Sequence, residues 1–440
     1  MVENGREHPF TFRRTVLPNG IRIVTERIPY VRSVSLGFWF ATGSCNETPK
    51  ENGISHLIEH LMFKGTANRT ARQIAETFDA AGGQLNAFTS KEHTCYYARV
   101  LDQHFGVAAD VISDMILSSL FAEADLEKEK SVVTEEIKMY EDSPDEMVHD
   151  LFTTAILDTH PLGQTVLGPA ENVLAFERAD IMDYLVRLYT PQNLVVAAAG
   201  NISHEQVVDE ISRRLGSMTV GPASLGMAAS GGRVTPWVAS PRDVIKVKDT
   251  EQVHLCLGTE GLNRRDSDKY PMFLLDVILG GGMSSRLFQE LREEMALVYS
   301  TYSYHVCFQD TGLFSIYAGT SPKNVDQVLE VVRGECRSLL AGGVTDAELR
   351  RAKEQLKGSL MLSLESTNSR MSRIAKIELF EETPETPDEI MEKVEAVAMD
   401  DVMRVANRLL PPEKLFLAAI GPLADKAAVQ EAAPTAIAQE

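Results

Sequence analysis

The sequence contains an internal repeat, and its two copies lie half a chain length apart. Residues 180–201 (DIMDYLVRLYTPQNLVVAAAGN) align without a gap with residues 401–422 (DVMRVANRLLPPEKLFLAAIGP), and nine of the 22 positions are identical. Each copy has a helical period that runs into a proline, followed by an apolar, β-rich run that ends at glycine. A duplication of this kind predicts two units of the same architecture.

Weaker similarities extend the repeat beyond these two segments. They pair a strand, a hairpin and an amphipathic helix of the first half with counterparts in the second half; the helices are EADLEKEKSVVTEEI and TDAELRRAKEQLKGSL. Strands and long helices therefore occur in clusters and not in strict alternation, which favours an α+β fold. We expect two duplicated α/β-sandwich domains, each a largely antiparallel sheet packed with helices.

Composition suggests where the two domains meet. Residues 221–241 are rich in Gly, Ala, Ser and Pro and have no clear period, which is typical of a linker. We therefore expect an N-terminal domain over residues 1–220, a linker over 221–241, a C-terminal domain over 242–430 and a frayed tail over 431–440. A chain of 440 residues is long enough for two hydrophobic cores.

The formal net charge of -20 argues against binding to nucleic acid or to an anionic membrane surface. Cationic peptides would be attracted, although a charge of this size can also serve solubility alone. The five cysteines are odd in number and widely spaced, so we expect buried thiols in a reducing compartment. The first residues resemble neither a secretory signal nor a transit peptide, and no apolar run of about 18 residues occurs, so we expect a cytoplasmic protein without a membrane span.

The segment GISHLIEHLMFKGT places His56, Glu59 and His60 on one face of a predicted helix. Two imidazoles one turn apart can bind one zinc ion, and the carboxylate between them lies close enough to take a proton from a water at the metal. The order H-x-x-E-H is the inverzincin signature. A catalytic zinc ion has three protein ligands, so one more must come from elsewhere. The pattern alone is equally compatible with two partly buried histidines on an amphipathic helix.

This segment, together with LNAFTSKEHTCYYARV and EKEKSVVTEEI, resembles the pitrilysin family of metallopeptidases, especially the subfamily close to mitochondrial processing peptidase. The resemblance covers nearly the whole chain. It implies one zinc ion per chain, bound by His56, His60 and a distant glutamate that the family's spacing from the second histidine identifies as Glu136. It also implies that Glu129, two turns earlier on the same helical face, orients a ligand histidine. Glu135 points about 100° away from Glu136 on a helix and is not expected to bind the metal.

The second half has an apolar helix in place of the histidine motif, and the repeat puts Ser359 opposite Glu136, so we expect no metal site there. Its segment GGGMSSRLFQELREEMALVYS resembles the C-terminal signature of the same family. That resemblance implies that Arg292 and Tyr299 bind the substrate carbonyl and the oxyanion, from the facing half or from a second chain. Judged from the residues alone, the alternative is a surface ion pair of Arg292 and a Tyr299 packed at a helix end.

The strand-like run over residues 83–98 contains Asn86, Ala87 and Phe88. In relatives, the matching edge strand pairs with the peptide substrate by β-augmentation, which suits substrates of varied sequence. The resemblance therefore implies that these three residues bind the substrate backbone. The alternative is an ordinary strand of the sheet, since any strand shows such alternation.

The resemblance as a whole implies a zinc-dependent endopeptidase that hydrolyses peptides or presequence-like segments in an enclosed chamber, with Glu59 as the general base. Family members are built from two double-domain units and this chain supplies one, so we expect a homodimer, or else the catalytic half of a heterodimer with an inactive homologue. The rival function is a catalytically silent structural or assembly subunit of the same fold. Such subunits tend to lose metal ligands, whereas this chain has the complete set.

Overall fold

A computed structural model of the chain describes residues 12–219, 242–380 and 384–423. The predicted linker and tail, residues 221–241 and 431–440, lie outside these ranges. The described residues form two compact units. The first unit comprises the described residues up to Lys138, from Gln164 to 219, and from Leu360 to Pro387. The second comprises Met139–Gly163, the described residues from 242 to Ser359, and those from Asp388 onward.

The first unit is built on a six-stranded sheet that is antiparallel except for one pair of strands. Its strands are β1 (Phe12–Val16), β2 (Arg22–Arg27), β3 (Ser33–Phe40), β4 (Gln84–Thr89), β5 (Thr94–Leu101) and β6 (Leu194–Gly200). They lie in the order β1-β2-β6-β3-β5-β4, and only β2 and β6 run parallel. Strand β4 is therefore at one edge of the sheet.

The second unit repeats this arrangement with five strands. They are β7 (Val244–Val247), β8 (Val253–Glu260), β9 (Val298–Cys307), β10 (Gly312–Thr320) and β11 (Phe416–Gly421), in the order β7-β11-β8-β10-β9. Strand β11, which ends the second copy of the sequence repeat, pairs in parallel with β7, just as β6 of the first copy pairs in parallel with β2. Strand β9 thus takes the edge position that β4 has in the first sheet.

Helices pack against both sheets. In chain order, the α-helices of the described residues are α1 (Ile54–Met62), α2 (Ala71–Ala80), α3 (Phe105–Ser118), α4 (Glu123–Glu141), α5 (Pro144–Leu157), α6 (Ala170–Ala175), α7 (Arg178–Leu188), α8 (His204–Leu215), α9 (Lys269–Leu279), α10 (Val325–Gly342), α11 (Asp346–Ser363), α12 (Thr367–Leu379), α13 (Pro387–Ala396) and α14 (Met399–Leu409). None of them is both long and apolar enough to span a bilayer.

The duplicated segments have the same structure. Residues 180–201 contain most of α7 followed by β6, and residues 401–422 contain most of α14 followed by β11. Both strands lie inside their sheets, between an antiparallel and a parallel neighbour. The predicted fold class, two α+β units with largely antiparallel sheets covered by helices, is confirmed.

Each unit also takes one helix from the other half of the chain. Helix α12 packs on β2, β3 and β6 of the first sheet, whereas α5 packs on β8 and β11 of the second sheet. Segment 139–163 lies within the predicted N-terminal domain but belongs to the second unit, and segment 360–387 lies within the predicted C-terminal domain but belongs to the first. The compact units are thus discontinuous in sequence.

Helix α12 explains why strand β3 is buried from its second residue onward and ends in the apolar run LGFWF. One face of the sheet packs on the main core of the first unit, and the other face carries Trp39, which contacts Met371 of α12 through Nε1 and Sδ at 3.2 Å. A strand that is covered on both faces reads as a continuous apolar run. A Cβ on Gly37 would lie 2.7 Å from the sulfur of Met371, so a larger residue there would force neighbouring side chains to shift.

We predict that the buried ion pair between Arg370 and Glu26 fixes α12 on the sheet. The two side chains are joined at 2.6 Å and are 9% and 4% exposed. Arg370→Met leaves the Glu26 carboxylate buried without its cation, which should lower the free energy of unfolding by about 3–5 kcal/mol in urea denaturation. Arg72→Met removes an exposed partner of Glu76 and should cost less than about 0.5 kcal/mol. Equal losses in both variants would contradict this role of Arg370.

Candidate active site

The start of α1 is determined by groups that hold the residues just before it. Gly53 has φ +101°, a left-handed conformation that favours glycine, and a Cβ on it would lie 2.7 Å from the carbonyl oxygen of Leu167. The buried carboxyl group of Glu47 accepts hydrogen bonds from the backbone N–H groups of Gly53 and Ser55, each at 2.9 Å. These contacts set the register of α1 and therefore decide which residues face the core.

Helix α1 has an apolar face and a polar face, and both are largely buried. Leu57 and Leu61 belong to the core of the first unit. His56, Glu59 and His60 share the other side, where His56 is only 8% exposed. Polar groups that are removed from water in this way need partners within the protein.

Helix α4 brings the third predicted ligand to the two histidines. Oε2 of Glu136 lies 3.4 Å from Nε2 of His60 and 3.8 Å from Nε2 of His56. One donor atom from each residue lies within 4.8 Å of the other two, and these residues form the one such group of potential metal ligands in the described ranges. Ligand atoms about 2.1 Å from a tetrahedral zinc ion are about 3.4 Å apart, so two nitrogens and one oxygen at these spacings fit zinc.

The neighbouring glutamate on α4 points away from this cluster. Oε1 of Glu135 lies 2.7 Å from Nζ of Lys138, and both side chains are more than half exposed. Glu135 and Glu136 thus differ in surroundings although they are adjacent in sequence. The difference agrees with the expected angle between consecutive residues of a helix.

Burial shifts the pKa of two side chains at this site, those of His56 and Glu59. Desolvation, assisted by the nearby His60, lowers the pKa of His56 to about 4, so its imidazole is neutral at neutral pH and can bind a metal. Desolvation also raises the pKa of Glu59, and the hydrogen bond from Thr89 opposes this increase. Oγ1 of Thr89 donates to Oε2 of Glu59 at 2.6 Å. A carboxyl group with a raised pKa beside the ligands is suited to accept a proton and return it.

Glu129 lies where a residue that orients a ligand is expected. It is 4% exposed, and its Oε2 is 3.3 Å from Nδ1 of His60. When Nδ1–H donates to this carboxylate, the lone pair of Nε2 remains available on the side of Glu136. His56 differs, because its buried Nδ1 has no hydrogen-bond partner among the described residues.

The predicted substrate strand is β4, which has β5 as its one strand neighbour in the described sheet. The backbone N–H of Ala87 donates to Oδ1 of Asn86 at 2.8 Å, so a side chain of the same strand satisfies this donor. The methyl group of Ala87 packs on the main core, whereas Phe88 packs edge-to-face on Trp39 at 5.5 Å. Thr89 shares the face of Ala87, because side chains alternate along a strand, and this brings it to Glu59.

Arg292 and Tyr299 lie near each other in the second unit. Arg292 is in a π-helical segment, Phe288–Glu294, and Tyr299 is the second residue of β9. The guanidinium carbon of Arg292 is 4.9 Å from the ring centroid of Phe288 and 6.0 Å from that of Tyr299. Both side chains are exposed, and 77% of Tyr299 is accessible to solvent.

Sequence reasoning missed two residues that contact the predicted site. Thr89, which binds Glu59, is the last residue of β4 and directly follows Phe88. Lys64, whose Nζ lies 2.7 Å from Oε1 of Glu129, follows His60 by one helical turn. The one sequence signal for these contacts was that both residues lie next to a motif. A threonine or a lysine is not by itself an indication of contact with a catalytic site.

Comparison with protein families shows which proteins share these features. The sequence model of the family described as "Insulinase (Peptidase family M16)" matches residues 22–170, and that described as "Peptidase M16 inactive domain" matches residues 175–356. The first match contains all the predicted metal ligands, and the second contains Arg292 and Tyr299. Together the two matches cover most of the chain.

Individual proteins and structures agree with these matches. An uncharacterised zinc protease of Bacillus subtilis, YmxG, is 46% identical over 93% of this chain and 98% of its own length. An uncharacterised zinc protease of Streptomyces coelicolor is 45% identical over 95% of this chain and 91% of its own length. A Helicobacter pylori protease has the same fold, with a TM-score of 0.85 and 22% identity over 93% of this chain and 99% of its own. The chain therefore belongs to peptidase family M16, the family that its motifs resemble.

Proposed function

We propose that this protein is a zinc-dependent endopeptidase that hydrolyses bonds within peptides. The observation that carries the proposal is the convergence of His56, His60 and Glu136 beside the partly buried carboxyl group of Glu59. The naming of its relatives as zinc proteases supports the choice of metal. The rival function, a silent structural subunit, is less well supported because the ligand set and the carboxyl group beside it are both present.

His56, His60 and Glu136 would hold the zinc ion. Bound there, zinc would act as a Lewis acid that polarises the scissile carbonyl and makes a water molecule more acidic. Glu59 takes the proton of the attacking water and later delivers it to the leaving amine. The hydrogen bond from Thr89 keeps the Glu59 carboxyl group in place during both transfers.

The peptide substrate would pair with the open edge of β4. Backbone pairing requires little of the substrate's side chains, which suits peptides of varied sequence. The backbone N–H of Ala87 would donate to a carbonyl oxygen of the substrate. Without substrate, it donates to the side-chain oxygen of Asn86. Phe88 supports the strand from the opposite face through its contact with Trp39.

Arg292 and Tyr299 would bind the substrate carbonyl and the oxyanion that forms when it is attacked. A guanidinium and a phenol are suitable donors for both, and their exposure leaves them accessible to a substrate. They would act from the same chain or from a second one. We favour a homodimer that encloses the substrate in a chamber over a heterodimer with an inactive homologue, because one chain carries both the ligands and this pair.

The substrate class and the location of the protein are further parts of the proposal. The net charge of -20 would attract cationic peptides, among them presequence-like segments. None of the five cysteines is disulfide-bonded to another, which fits a reducing cytoplasm. Nucleic acid and membranes are not expected partners of so acidic a protein.

The experiment that tests the proposal is the substitution Glu59→Gln. The amide cannot accept the proton, so cleavage of a quenched, Arg-containing peptide library should fall about 10²–10⁴-fold. Zinc content, measured by elemental analysis, should be unchanged, because Glu59 is not a ligand. Glu76→Gln, on the exposed surface of α2, is the matched control and should behave as the unmodified protein. Undiminished cleavage by Glu59→Gln would refute the role of the base, and absence of zinc from the unmodified protein would favour the structural subunit.

A second prediction concerns pairing of the substrate with β4. Ala87→Pro removes the N–H that now binds Asn86, and proline is tolerated on an edge strand when that donor is not needed by the sheet. We expect kcat/KM for peptides to fall at least about 10-fold through loss of this hydrogen bond. Zinc content should not change. Ala87→Gly keeps the N–H and is the control. Equal activity of the proline and glycine variants would contradict the proposal that the substrate pairs with β4 at this position.

A further inference from the structure

A lysine outside the predicted site completes a chain of contacts to one of the metal ligands. Nζ of Lys64 lies 2.7 Å from Oε1 of Glu129, and Oε2 of the same carboxylate lies 3.3 Å from Nδ1 of His60. All three residues belong to the first unit. Each oxygen of Glu129 therefore has a donor of its own.

The backbone after α1 explains why Lys64 reaches Glu129. Helix α1 ends at Met62, but the N–H of Lys64 still donates to the carbonyl oxygen of Leu61 at 3.1 Å, so a tight helical turn continues to Lys64. Lys64 thus follows His60 by about one turn, and both side chains contact Glu129. Gly65, with φ +119°, ends the turn immediately afterwards.

Burial distinguishes this ion pair from a comparable one on α4. The side chain of Glu129 is 5% exposed, whereas that of Glu135, which pairs with Lys138 at the same distance of 2.7 Å, is 70% exposed. In the exposed pair, water can replace either partner, so the pair contributes little. A buried carboxylate has few substitutes for its donors, so the donors that it has determine where its oxygens lie.

We propose that Lys64 is a positioning residue of the metal site. It holds the carboxylate of Glu129, and this carboxylate in turn holds the ring of His60 with Nε2 towards Glu136. His60 is the ligand that depends on such support, since Nδ1 of His56 has no partner within the described part of the chain. The inference rests on the proposed function in that these ligands bind zinc. It concerns the orientation of a ligand, so the effect is on zinc affinity and requires no substrate.

The test is the zinc affinity of metal-free protein, measured by competition with a chromophoric chelator. Lys64→Met removes the donor but keeps a side chain of similar length. We expect the dissociation constant for zinc to rise about 10-fold, the lower end of the effect of losing a contact that orients a ligand histidine. Lys64→Arg retains a cationic donor and should restore most of the affinity. Lys138→Met, which removes the exposed partner of Glu135, is the matched control and should bind zinc as the unmodified protein does.

A double-mutant cycle tests whether Lys64 acts through Glu129. Glu129→Gln should weaken zinc binding by itself, and adding Lys64→Met to it should cause no further rise in the dissociation constant. Thermal unfolding of each metal-free variant establishes that it is folded. If Lys64→Met does not fold, Lys64→Ala takes its place in the same cycle.

The outcomes separate this inference from the proposed function. Unchanged affinity in Lys64→Met would overturn the inference and leave the proposed function intact. The inference would also be overturned if Lys64→Met raised the dissociation constant for zinc as much in the Glu129→Gln background as it does alone. If the unmodified protein binds no zinc, both the inference and the proposed function are overturned.

Discussion

The polar face of α1 lies beside Glu129 and Glu136 of α4, and the properties of the site depend on how far its side chains are removed from water. Histidine and glutamate side chains lose the hydrogen bonds of water there and must find partners among themselves. The consequences are the pKa of His56 at about 4 and the raised pKa of Glu59. Charges also interact more strongly where water is excluded. A cation among His56, His60 and Glu136 would interact with a donor atom of each of the three.

The sheet of the first unit connects this cluster to the open edge of β4. Thr89 is the last residue of β4, and its hydroxyl group binds Glu59 on α1. The strand that we propose to pair with the substrate is therefore hydrogen-bonded to the proposed base. The second unit has a sheet of the same order, and four of its five strands lie within residues 175–356, which match a family of domains described as inactive. Duplication has preserved the scaffold, and within the described ranges the one group of potential metal ligands lies in the first unit.

The repeat allowed the two α+β units to be predicted, because a period of half the chain length implies two copies of one structure. The exchange of α5 and α12 could not be predicted in the same way. Hydrophobic periodicity indicates which face of a helix is buried but not which sheet covers it. Met371 contacts Trp39 although the two residues lie in opposite halves of the sequence.

The candidate site was predictable where spacing on one helix determines geometry. His56, Glu59 and His60 had to share a face, whereas Glu136 and Glu129 were located through a family resemblance and not through spacing alone. Thr89 and Lys64 could not be identified, because their roles depend on tertiary contacts to Glu59 and Glu129. Their residue types occur on any protein surface.

The central claim is that His56, His60 and Glu136 hold the metal, and adjacent glutamates allow it to be tested directly. Zinc bound per chain should be measured by elemental analysis after equilibrium dialysis for Glu136→Gln and Glu135→Gln. The account predicts that Glu136→Gln loses its zinc, because a ligand oxygen is replaced, whereas Glu135→Gln retains about one ion per chain. Zinc retained by Glu136→Gln at the level of the unmodified protein would contradict the account.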